Sequence, residues 1–209
     1  MLVLLVAATL STPTVPATPQ VTVTFPNAVP VTVMGPENSA RNAEYPWRHA
    51  QTLMSPREDA AAVRFCWEIG KYDGCQVILA RPGQPALPLK NSNVKRLLWT
   101  GNGQYLIGAG ANTVRLWNLS GGVRTAIPTP GAVFARLTRH SSQIVGLALQ
   151  GRDLCVRTED QWYDQNGQQT DRSVSTTRYA LPTLKQVETI SQPVQAGQEA
   201  PCRPPHTEA

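Results

Sequence analysis

Apolar residues in this 209-residue chain fall in short runs cut by glycine, asparagine and proline. The clearest stretch is WTGNGQYLIGAGANTVRLWNLSGG, at 99–122. In and around it, VKRLLW (94–99), QYLIGAG (104–110), TVRLWNL (113–119) and VRTAI (123–127) read as four strands joined by hairpin-type turns. The same order appears upstream in RHAQTLM (48–54), AAVRFCWEI (61–69), CQVILA (75–80) and PALPL (85–89). Downstream, AVFARLT (132–138) and QIVGLAL (143–149) match the first two strands, and TTRYAL (176–181) and QVETI (186–190) match the last two. Residues 150–175 interrupt this third unit and read as an insertion carrying a hairpin of its own. Ahead of all three units, QVTVTF (20–25) and PVTVMG (30–35) are two further short strands.

The first strands begin near Arg48, Val94 and Ala132, a spacing of about 40 residues, which is the sequence mark of β-propeller blades. Inner strands of such blades are buried on both faces, so they should be apolar almost throughout, as YLIGAGA and QVILA are. The outer runs VRTAI and QVETI alternate polar and apolar residues, as half-exposed edges should. The expected fold is therefore all-β and propeller-like, with about three four-stranded antiparallel blades over 49–190. A β-sandwich with the same strand count is the alternative.

The unit at 94–127 resembles a WD-repeat blade, with Trp117 and Asn118 where that family has its Trp-Asp pair. The resemblance implies a packing role for Trp117. It also has departures: Asn118 replaces the aspartate, no Gly-His pair opens the unit, and the turn before Asn112 lacks the usual acid. Propellers close with about 4–8 blades, so three need completion. The N-terminal strands could cap an end, a homodimer could close the ring head to tail, or a partner could supply the rest.

Leu2 to Leu10 form a nine-residue apolar run followed by small residues, too short for the roughly 20 residues of a membrane span. A secretory signal over 1–17 is the expectation, and with it a secreted, periplasmic or cell-envelope address. Residues 18–48 then form an extension, and the proline-rich 191–209 a disordered tail. In an oxidising compartment the four cysteines should pair, as Cys66–Cys75 across a hairpin and Cys155–Cys202 tethering the tail.

Charge adds the functional clue. The net charge is +5, and from Gly74 to Gly151 there is no acid. That window holds Arg81, Lys90, Lys95, Arg96, Arg115, Arg124, Arg136 and Arg139. Such a field attracts anions, and Arg81, Lys95, Arg96, Arg115, Arg124, Arg136 and Arg139 form the expected binding surface. The acids follow at Asp153, Glu159, Asp160, Asp164 and Asp171, in the insertion, where Trp162 and Tyr163 are expected as an exposed second contact surface. The dull alternative is that this insertion folds over the basic blades and neutralises them.

No nucleophile elbow, zinc-protease motif, Walker loop or dinucleotide fingerprint is present, so neither a catalytic residue nor a cofactor is expected. Asp164, Asn166 and Gly167 mimic part of a calcium loop, but Trp162 and Ser173 would then fill its ligand positions 1 and 12, and no metal site is assigned. Trp99, Tyr105 and Trp117 are interleaved with basic residues but sit in core runs, which argues against nucleic acid. The expected function is an exported, non-enzymatic binding or scaffold module contacting a protein or an anionic polymer. The rivals are an exported hydrolase or lyase acting on a polymer through insertion carboxylates, and a structural subunit of an envelope complex.

Overall fold

The structure is a computed structural model that describes residues 15–38, 44–69, 72–128 and 139–193. It contains a two-stranded hairpin and three four-stranded antiparallel sheets, each an up-and-down meander. The hairpin pairs β1 (Gln20–Val23) with β2 (Val31–Met34). The first sheet holds β3 (Arg48–Met54), β4 (Ala61–Ile69), β5 (Tyr72–Ala80) and the short β6 (Leu87–Pro88). The second holds β7 (Arg96–Trp99), β8 (Tyr105–Ala109), β9 (Val114–Asn118) and β10 (Val123–Ala126). The third holds β11 (Arg139–Gln150), β12 (Asp153–Tyr163), β13 (Gln169–Ala180) and β14 (Lys185–Pro193).

The three apolar cores lie between successive sheets. On β4, Ala62 belongs to the core shared with the second sheet, while Ala61, Val63 and Phe65 belong to the core shared with the hairpin. On the second sheet, Trp99, Leu106 and Trp117 face the first sheet, and Ile107, Ala109, Val114 and Leu116 face the third. Side chains alternate across a strand, so a sheet covered on both sides must be apolar at consecutive positions. That is why YLIGA and VILA read as unbroken runs.

The first two sheets follow the sequence-derived strands closely. The third departs from them. QIVGLAL belongs to the sheet's first strand, and AVFARLT lies outside the described residues. Residues 150–175 do carry the expected hairpin, but it is no separate insertion: its strands are β12 and β13 of the sheet, which pair directly over most of their lengths. The repeat is therefore kept and its strands lengthened, a change that hydrophobic spacing alone reads as an interruption.

Among the described residues, the ends of the stack are mainly polar. On the hairpin, Val23, Val33 and the following Phe25 pack on the first sheet, while Gln20, Thr22, Thr32 and Met34 are exposed. At the other end, the outer side of the third sheet carries Arg157, Glu159, Arg172 and Arg178. The N-terminal strands thus cap the first sheet. The described residues form no closed ring.

Candidate functional site

Two hydrogen bonds pin the loop leading into β7 against β5. Asn93 Oδ1 accepts from the Cys75 amide at 2.8 Å, and Ser92 Oγ accepts from the Val77 amide at 2.9 Å. Beside it, Cys66 and Cys75 stand directly opposite on β4 and β5, with Cα atoms 4.2 Å apart, and are joined by the expected disulfide. Of the second expected pair, Cys155 is disulfide-bonded, and Cys202 lies outside the described residues.

This anchored segment is where cations gather. Arg64 on β4 projects towards the second sheet, and its Nη1 donates to the carbonyls of Val94 and Lys95. Arg96, which opens β7, donates through Nη1 to the Ile144 carbonyl of β11 at 3.3 Å. Arg115 reaches back along β9: a β-carbon on Gly110 would lie 3.6 Å from Arg115 Nη1 and 3.1 Å from the Asn93 carbonyl. All three arginines are half-buried, and the Nε atoms of Arg64 and Arg115 are buried without a hydrogen-bond partner. Burial pushes the Arg64 pKa down from the ordinary arginine value, yet a guanidinium remains charged in water near neutral pH.

Among the described residues, none of these three arginines is ion-paired. The pairs found among the described residues join Arg57 to Asp59, Arg172 to Glu159, and Arg178 to Asp153 and Glu188. Asp153 and Glu159 therefore find cations within their own sheet.

Of the surface residues expected from sequence, Lys95, Arg96 and Arg115 lie at one end of the second sheet, Arg115 on the face towards the first sheet and Arg96 on the face towards the third. Arg81 follows the end of β5 at the opposite end of the first sheet, and Arg124 is exposed on the edge strand β10. Arg139 opens β11 opposite Tyr163, and Arg136 lies outside the described residues. Arg64 was missed because Glu68 and Asp73 separate it from the acid-free window. A charge inside the apolar strand AAVRFCW was the signal that could have found it.

The second expected surface needs correction. Trp162 is only 3% exposed. In β12 it shares a face with Leu154, Val156, Thr158 and Asp160, all buried. Because β12 is an inner strand of the third sheet and not part of a hairpin outside it, alternation turns its ring inward onto the second-sheet side. Tyr163 is half-buried, and its hydroxyl donates to Gln161 Oε1.

The same alternation separates the two adjacent carboxylates. Glu159 accepts from Arg172 Nη2 at 2.7 Å on the outer face, while Asp160 is fully buried on the other, 3.5 Å from Ser175 Oγ. Carboxyl groups on opposite faces of one sheet cannot flank a common glycosidic bond. Asp164 Oδ1 accepts from the amides of Asn166 and Gln168, so the calcium-like residues form the β12–β13 turn. Among the described residues, no group of three or more metal-ligating side chains occurs, and no helix is long and apolar enough to cross a membrane.

No protein-family model, curated protein or solved structure matches the chain.

Proposed function

We propose that this chain is an exported, non-enzymatic binding module of propeller-like blades, which holds an anionic partner at the Arg64–Lys95–Arg96–Arg115 end of its sheets. The observation that carries this reading is the approach of Arg64 and Arg115 to the pinned segment, with Arg96 at the same end of the second sheet on its other face, and no ion pair to any of the three among the described residues. Arg64 and Arg96, half-buried and tied to backbone carbonyls, lose little further freedom on binding, and the N–H groups left over on the three guanidiniums suit carboxylate, sulfate or phosphate oxygens. The Cys66–Cys75 bridge supports an oxidising destination.

The test is retention on an immobilised anionic polymer, dextran sulfate, as a function of salt. Binding should weaken steeply as salt rises. Arg115→Glu should reduce affinity by roughly tenfold or more, on the scale of a charge-assisted hydrogen bond. Arg124→Glu, on the outer edge, should change it little. Equal retention of the wild type and both variants would sink the reading.

A further inference from the structure

A second concave site lies at the other end of the second and third sheets. A cleft of about 470 Å³ opens between the β7–β8 turn and the β11–β12 and β13–β14 turns. Its apolar lining comes from Tyr105, Leu149, Leu181 and Pro182, and its polar rim from Thr100, Asn102, Gln104 and Arg152. The volume falls in the range of small-molecule sites.

The rim's hydrogen bonds leave it with an imbalance. Thr100 Oγ1 donates to Asn102 Oδ1 at 2.8 Å, and the backbone N–H of Gln104 donates to the same oxygen at 3.2 Å. Asn102 Nδ2 donates to Gln104 Oε1 at 3.1 Å. The amide oxygens are thus turned onto neighbours within the turn, while one N–H of Asn102 and both side-chain N–H groups of Gln104 remain. Arg152, exposed on the β11–β12 turn, adds a guanidinium that joins no ion pair among the described residues. Among the described residues, no carboxylate lines the cleft.

A donor-rich rim with one cation, set over an aromatic and aliphatic floor, asks for a ligand with acceptor oxygens on one side and an apolar ring face on the other. We infer that this cleft binds an acidic sugar of the uronic acid class, its carboxylate on Arg152, its ring oxygens on Asn102 and Gln104, and its apolar face against Tyr105. The site uses different residues from the basic cluster and lies at the opposite end of the sheets, so either can fail without the other.

The experiment is calorimetric titration of the full chain with sodium glucuronate, with glucose and acetate as controls. Saturable binding of glucuronate is expected, with each control at least tenfold weaker. Arg152→Ala should weaken glucuronate binding by roughly tenfold or more, Gln104→Ala should weaken it less, and Arg115→Glu should leave it unchanged. Circular dichroism checks that each variant is folded. Absence of saturable binding, equal binding of glucose or acetate, or an undiminished affinity in folded Arg152→Ala overturns the assignment.

Discussion

Gly108 on β8 lies against the indole ring of Trp117 on β9. A β-carbon at Gly108 would sit 2.7 Å from Trp117 Cζ3 and 2.9 Å from Cη2, with Val94 Cγ1 at 3.1 Å. The ring is fully buried, and its Nε1 donates to the Lys90 carbonyl at 2.9 Å, so it has neither space nor polar reason to move. We expect Gly108→Ala to destabilise the fold by about 1–3 kcal/mol through overpacking. Chemical denaturation measures this, and an unchanged midpoint and slope would show that the contact relaxes freely.

Tyr179 offers the opposite case. It is 2% exposed in the core between the second and third sheets, and its hydroxyl is buried without a partner. Tyr179→Phe should therefore be neutral or stabilising by about 1 kcal/mol. Burial pushes the phenol from its ordinary 10.0 up to about 12. A raised folded pKa means that this group's contribution is complete below pH 10 and is lost as pH rises towards 12. Alkaline melts should show a smaller loss for the phenylalanine variant.

The Glu159–Arg172 pair sets an acid-side dependence. The Arg172 hydrogen bond, followed by that from Gln161, holds the Glu159 carboxyl below its ordinary value of 4.5. With the folded value depressed, the contribution is present above pH 4.5 and is lost as pH falls through the lowered value. Thermal melts of Glu159→Gln should differ from wild type at neutral pH and converge with it in acid. Because Arg172 is half-exposed, the difference should also shrink in high salt.

The Cys66–Cys75 bridge closes a short loop, the two cysteines being nine positions apart in sequence. Chain entropy for such a loop gives about 3 kcal/mol at most. We expect the Cys66→Ser, Cys75→Ser double variant to remain folded with a lower melting temperature. It should also bind dextran sulfate less tightly, because Cys75 helps pin Asn93 beside Lys95 and Arg96.

Among the described residues both end faces of the stack are mainly polar, so we expect a monomer in solution. Light scattering after size exclusion would decide, and a concentration-independent dimer would show that an end face or sheet edge is covered by a second copy.

The amino-acid sequence by itself determined the strand grammar, the four-stranded repeat of the first two sheets and the short cross-hairpin disulfide. These are local: period-two burial, turn residues and cysteines close in the chain leave few alternatives. It also marked the acid-free stretch from which Lys95, Arg96 and Arg115 come. Tertiary structure decided the rest. Arg64 joins that group only because the first and second sheets pack face to face, bringing β4 to residues more than twenty-five positions away in the chain. Trp162 turns inward, and Glu159 and Asp160 part to opposite faces, because β12 continues as one long strand of the third sheet where the spacing suggested an inserted hairpin outside it. The cleft between the turns exists only once the second and third sheets are stacked. Side-chain direction in a strand depends on register, and register over a polar stretch is set by the neighbouring strands.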